Sequence, residues 1–224
     1  MNKAVGLCPP NGRIFGLGIS PLPRRGLAPA CGNSSRDRAC DRSPRRADLA
    51  KRGDNAAVSG TGITIENTRD GWSKVRANRV GWVESHHLRA LTDISQNGEE
   101  KRVALESDSQ RMIGVPYLWG GSSGNGIDCS GFAQLLHRWI GIEIPRDADM
   151  QCDAANPVEP PYQPGDLFFF NENDNKGDIT HVGMSLGGWR MIHSSRTRNG
   201  VYVDDLQERK SLMDIFVSAG SYLR

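Results

Sequence analysis

Five cysteines and five histidines carry most of the chemistry open to this chain of 224 residues. Cys8, Cys31, Cys40, Cys129 and Cys152 include no Cys-x-x-Cys pair and match no zinc-site spacing. An odd, uneven set is also a poor disulfide framework, so Cys129 needs its own explanation. It follows a run containing Gly120, Gly121, Gly124 and Gly126, and it opens the clearest amphipathic segment of the chain. A free thiol titrates near ~8.5, and only the thiolate attacks carbonyls well. Two devices lower that value: the partial positive charge of a helix N-terminus, and an imidazole that accepts the proton. Cys129 is placed for the first. The alternative is a small buried hydrophobe, and spacing alone does not separate the two.

The partner must come from His86, His87, His137, His181 or His193. His137 lies eight residues beyond Cys129 in the same segment, roughly 12 Å along a helix, too far for direct contact. His86 and His87 end a β-like region, and neighbours on a strand face opposite ways. His181 starts a strand-like run and His193 ends the next, with Gly187-Gly188 as a tight turn between them. Pairing around that turn sets residues whose numbers sum to about 374–375 opposite each other, which puts the two imidazoles side by side. One ring can then take the thiol proton while the other fixes its tautomer. Two unrelated histidines on a sheet remain the competing reading.

The elements that must position these groups are legible in outline. Phe132, Leu135, Leu136, Trp139 and Ile140 form one helical face, with Asp128 as an N-cap before it and Gly141 after it. A less regular helix is expected from Glu100 to Ile113. Strands are expected at 166–170, 180–186, 190–193 and 201–205. Short β-like runs at 56–59, 63–66, 72–76 and 79–83, separated by turn residues, indicate a small β-barrel or sandwich. A helix carrying the cysteine, followed by strands carrying histidines, is an α+β layout.

Residues 1–48 differ in texture. They hold nine Lys and Arg against three acids, half of the prolines and three of the cysteines, and they are expected to be a disordered or atypical lead. Pro9, Pro10 and Pro21 break the apolar patch that a secretory signal would need. The chain's net charge of +2 gives no reason to expect a nucleic-acid partner, and no apolar run is long enough to span a bilayer.

Six blocks then bear on function: Tyr117-Leu118-Trp119-Gly120-Gly121, Asp128-Cys129-Ser130-Gly131-Phe132, Ile144-Pro145-Arg146-Asp147, Pro164-Gly165-Asp166-Leu167, His181-Val182-Gly183 and Ile192-His193-Ser194. In this order they resemble the NlpC/p60 family across residues 100–224. The resemblance implies a papain-like catalytic domain, an antiparallel sheet packed on helices, that needs no cofactor or metal. It implies cleavage of the γ-D-glutamyl-diamino acid bond in peptidoglycan stem peptides. It also assigns roles: Cys129 as nucleophile, His181 as base, His193 orienting it, and Tyr117 helping the Cys129 amide hold the oxyanion. Trp119, Ser130 and Arg146 are expected to line the substrate site.

Residues 49–92 resemble a bacterial SH3-like domain through Asp70-Gly71-Trp72-Ser73-Lys74-Val75 and Gly81-Trp82-Val83, with Trp72 and Trp82 expected in its core. Its opening strand is not legible, so a partial barrel is expected. The combination resembles the dipeptidyl-peptidase branch, whose substrates carry a free N-terminal L-alanine. There Asp128 and Asp147 would hold the ammonium. This favours a cytoplasmic recycling enzyme over a secreted, SH3-anchored hydrolase of intact wall; a wall-binding protein with an impaired peptidase half is a further alternative. Oligomeric state and the preferred diamino acid are not readable.

Overall fold

Four consecutive large apolar residues, Leu167-Phe168-Phe169-Phe170, read as a strand that needs cover on both sides. The computed structural model, which describes residues 2–6, 59–77, 79–172 and 178–223, provides it. In chain order the strands are β1 (Asn2–Gly6), β2 (Gly62–Arg69), β3 (Trp72–Arg76), β4 (Val80–Glu84), β5 (Leu88–Ala90), β6 (Ser122–Ser123), β7 (Gly126–Ile127), β8 (Asn156–Pro157), β9 (Leu167–Phe170), β10 (His181–Ser185), β11 (Arg190–Ser195), β12 (Gly200–Asp205) and β13 (Phe216–Ser221). The α-helices are α1 (Gly98–Gln110), α2 (Cys129–Trp139), α3 (Ala148–Ala154) and α4 (Lys210–Met213).

The larger sheet has the order β12-β11-β10-β9-β13-β8, and its neighbours pair antiparallel. Period-2 alternation divides β9. Leu167 and Phe169 join the core under α2, whereas Phe168 and Phe170 pack with Tyr162, Met191 and Leu206 on the other face. The apolar face of α2 is as the spacing predicts: Phe132, Leu135, Leu136, Trp139 and Ile140 are all buried. This is the α+β, papain-like arrangement expected from the sequence.

α1 starts two residues earlier than expected, at Gly98, and its helical run ends at Gln110. Asn97 Oδ1 accepts from the amides of Glu99 and Glu100 at 2.9 and 3.2 Å, which fixes the start. Its irregular apolar pattern has a structural reason: Leu105 and Met112 are buried, but Val103 and Ile113 face solvent. Arg102 ties α1 to the Pro164-Gly165-Asp166 turn, donating to Pro164 O at 2.8 Å and Asp166 Oδ1 at 3.0 Å. Gly165 has φ +91°, and a Cβ there would lie 2.7 Å from Leu105 Cδ1, so both the turn and the close packing call for glycine.

The smaller sheet has the order β4-β3-β2-β1-β5. Residues 2–6, expected within an unstructured lead, instead supply a strand between β2 and β5, with Ala4 opposite both Ile63 and Ala90. A strand is therefore found where the sequence showed no opening strand. The rest of the 1–48 segment, and most of the strand expected at 56–59, lie outside the described residues. Ile63 and Val75 form this sheet's buried core, with Ile65, Val83 and Leu88 against it. Trp72 and Trp82, expected in the core, are half-buried on the opposite face. The pairings of Trp72 with Glu84 and Lys74 with Trp82 put both indoles on one side, while Ser73 and Val75 point inward.

His86 and His87 also depart from expectation. They sit in a single-turn 3-10 helix, Ser85–His87, rather than on a strand, and their ring centroids lie 3.8 Å apart. A helical turn does not alternate faces, so both rings lie near Glu84, at 3.5 and 3.4 Å from its Oε2.

Candidate active site

The site is built where the N-terminus of α2 meets the start of β10. Asp128 caps the helix, its Oδ1 accepting from the Gly131 amide at 2.7 Å. Cys129 is the first helical residue and is 9% exposed. Its sulfur is met by two backbone amides, from Val182 in β10 and Ser130 in α2. Gly131 is needed here, because a Cβ would collide with the Gly121 carbonyl. The glycine-rich turn thus packs directly on the helix that carries the thiol.

His181 is the first residue of β10, adjacent to the amide that reaches the sulfur. Its Nε2 lies 2.7 Å from His193 Nδ1, so the imidazoles are in contact as expected. The register behind this contact differs, however. Met184 pairs with Ile192 and Ser185 with Met191, so partners sum to 376 and His193 stands opposite Gly183. The reversal takes three residues, Gly187 to Trp189, closed by the Leu186 amide bonding Arg190 O at 2.8 Å. The histidines are therefore diagonal neighbours, within reach of long side chains. Gly183 leaves the space between them: a Cβ there would lie 3.2 Å from His193 Cβ.

A residue that the sequence reading missed completes the row. Asp204 Oδ2 lies 3.2 Å from His193 Nε2, and Asp204 is 6% exposed. Tyr202 pairs with His193 across β11 and β12, and Asp204, two residues on, shares its face. The signal was present in Asp204-Asp205, but choosing between the two acids requires the register.

The electrostatics change the expected account of the thiol. Burial pushes Cys129 up to about 11, against the two amides, and Asp128 adds to the rise. Burial takes His181 down to about 3, helped by His193. Desolvation thus works against the helix terminus at the thiol, and it disfavours the charged form of His181 as well.

The remaining expected residues divide into two groups. Arg146 ties three of them together. It donates to Asp128 Oδ2 at 2.6 Å, Ser130 Oγ at 2.8 Å and Gly121 O at 3.2 Å. The Gly120 amide also bonds Asp128 Oδ2, at 2.9 Å, so this carboxylate is already well supplied with donors. Asp147 is exposed and, although it precedes α3, makes no side-chain cap bond. Tyr117 is half-buried, and its phenol is raised chiefly by burial, with further contributions from the neighbouring Cys129 and Asp128. Trp119 is 81% exposed on the turn before the cysteine. His137 is fully buried and bonds Ala133 O through Nδ1 at 2.8 Å, a place in the core of α2.

A buried cysteine at a helix tip and a histidine pair on the antiparallel sheet packed against that helix are the features that mark the class of this protein. Comparison with known proteins gives the class a name. The NlpC/P60 family model matches residues 114–217. A probable endopeptidase, an NlpC homolog of Haemophilus influenzae, is 30% identical over 173 residues, covering 76% of this chain and 84% of that protein. The γ-D-glutamyl-L-lysine dipeptidyl-peptidase of Bacillus subtilis is 44% identical over 98 residues, 43% of this chain and 33% of that one. The crystal structure of an NlpC/P60 family protein from Bacillus cereus superposes with a TM-score of 0.67 at 29% identity, covering 75% of this chain and 55% of that one. The chain belongs to the NlpC/P60 family of peptidases. It spans about a third of the length of the two Bacillus dipeptidyl-peptidases it matches. No helix among the described residues is long and apolar enough to cross a membrane.

Proposed function

We propose that this chain is a cysteine endopeptidase that hydrolyses the γ-D-glutamyl-diamino acid bond of peptidoglycan stem peptides with a free N-terminal L-alanine. The observation that carries the reading is the Cys129 sulfur held by the Val182 amide, next to the His181–His193 pair. With its Nε2 engaged by His193, His181 has Nδ1 left to accept the thiol proton. The sulfur then attacks the glutamyl carbonyl, and the oxyanion settles against the Cys129 amide and Tyr117. His181 returns the proton to the departing amine. A water molecule, deprotonated by the same ring, frees the acyl group from sulfur.

Ser130, Trp119 and Arg146 line the substrate side in this reading, with Asp128 and Asp147 as acidic contacts for the ammonium. Asp147 is the less committed of the two, since Asp128 already serves the helix, Gly120 and Arg146. We read residues 49–92, together with the strand at 2–6, as a bacterial SH3-like domain and residues 100–224 as the peptidase domain. The similarity to the Bacillus dipeptidyl-peptidases supports the substrate class.

The commitment of Asp128 also gives weight to a second reading, a hydrolase of wall-linked peptides that does not require a free amine. Mass spectrometry of L-Ala-γ-D-Glu-diamino acid peptides and their N-acetylated forms separates the two. Cleavage of the free peptide alone supports the first, and equal cleavage of both supports the second. No cleavage of either, by protein whose thiol is intact, removes both.

A further inference from the structure

Behind the histidine pair lies a buried carboxylate whose position decides where the protons sit. His181, His193 and Asp204 are 5%, 1% and 6% exposed, so water does not compete for their hydrogen bonds. The contacts run in one line: His181 Nε2 to His193 Nδ1 at 2.7 Å, then His193 Nε2 to Asp204 Oδ2 at 3.2 Å. Arg198 and Arg209 approach the other oxygen, Asp204 Oδ1, at 3.5 and 3.7 Å. Burial alone would raise this carboxylic acid, but His193 and the two arginines outweigh it and hold it below its ordinary value. An ionised carboxylate can only accept.

From that acceptor the whole row follows. His193 must place its proton on Nε2 to bond Asp204. In a neutral ring, Nδ1 is then an acceptor. A 2.7 Å contact between two nitrogens needs one proton, so His181 donates through Nε2. Its Nδ1 is left as a bare lone pair, the form a general base requires. The edge of His193 is closed by Tyr202, with ring centroids 4.6 Å apart, and Arg198 stacks 4.4 Å over that phenol. These contacts hold the ring plane in which the relay works.

We propose that Asp204 is a positioning residue that fixes the tautomers of His193 and His181, so that Nδ1 of His181 faces the thiol unprotonated. The proposal rests on the cysteine-peptidase reading above and extends it by a fourth member that touches neither substrate nor sulfur. Reversing the acceptor reverses the row. An amide at 204 can donate to His193 Nε2, which moves the His193 proton to Nδ1 and the His181 proton to Nδ1, where it blocks the base.

Two measurements test it. In protein carrying 15N-labelled histidine, long-range 1H–15N spectra are expected to show the Nε2–H tautomer for both His181 and His193; a neutral Nδ1–H form at His193 would overturn the proposal. In steady-state assays of a stem tripeptide, Asp204→Asn is expected to lower kcat at least tenfold with KM within about twofold. Asp204→Glu, which keeps an acceptor, is expected to recover part of that loss. Wild-type kcat in a folded Asp204→Asn protein overturns it as well. If Cys129→Ala is inactive while Asp204→Asn is fully active, the positioning role fails and the peptidase reading stands. If wild-type protein cleaves no stem peptide, the peptidase reading fails and the tautomer spectra still decide the role of Asp204. They also decide it should the variants not fold.

Discussion

Protonation of single groups governs this site. With burial pushing Cys129 up to about 11, a thiol is expected at neutral pH, unlike thiolate–imidazolium centres that alkylate at full rate in weak acid. The rate of iodoacetamide modification at Cys129 is therefore expected to climb close to tenfold per pH unit from pH 7 toward the thiol's own value. Peptide mapping follows this, because Cys152 is a second free thiol, half-buried beside Ser218. A rate that is flat above about pH 5 would show a preformed ion pair instead. Arg146 offers a second test at this scale. Its fork bonds Asp128, Ser130 and the Gly121 carbonyl at once, which a lysine cannot match. If the proposed chemistry holds, Arg146→Lys is expected to lower kcat/KM roughly tenfold, since it loosens the residues on both sides of Cys129.

Among the elements, two glycines set how closely backbones approach. Gly131→Ala forces α2 away from the Gly121 carbonyl and is expected to cost about 1–3 kcal/mol, read as a lower urea midpoint. Gly183→Ala presses on Met191 Sδ, a flexible end that can yield, and on His193 Cβ, which is fixed to its strand. Its expected signature is a several-fold fall in kcat with a small change in stability. The elements also show what a sequence makes readable. α2 was legible because one apolar stripe, an N-cap and a terminating Gly141 agree, and Gly141 does adopt φ +76°. The histidine contact was legible, but its register was not. The hairpin turns through three residues rather than two, and that count depends on Gly187 at φ +100° and Gly188 at φ +59°, a choice glycine leaves open. β13, β8 and α3 gave no periodic signal: their runs are too short, or mix Ser and Gly with apolar residues. Asp204 was hidden for a related reason, since its meaning depends on pairing across β11 and β12.

At the scale of the whole molecule, stability is tied to pH through buried imidazoles. Burial depresses His137 to about 4 in the folded protein against an ordinary 6.5. Below that ordinary value the unfolded chain takes up a proton that the folded chain refuses. The stabilisation is therefore complete above about pH 6.5 and is lost as pH falls through about 4, by roughly 3 kcal/mol for this one group. His181, depressed further, adds to the same trend. The Tm is expected to fall steadily between pH 6.5 and 4. His137→Leu is expected to flatten that slope, because a leucine has nothing to protonate; an unchanged slope would place the acid sensitivity elsewhere.

The small sheet is threaded out of sequence order, with Asn2–Gly6 lying between strands that come from residues 62–90. Pairing Val5 with Gly62 on one side and Arg89 on the other joins residues remote in the chain, an entropic cost that grows only slowly with their separation. The inserted strand is thus a keystone: losing its pairing would strip partners from β2 and β5 together, splitting the five-stranded sheet into β4-β3-β2 and a lone β5 with open edges.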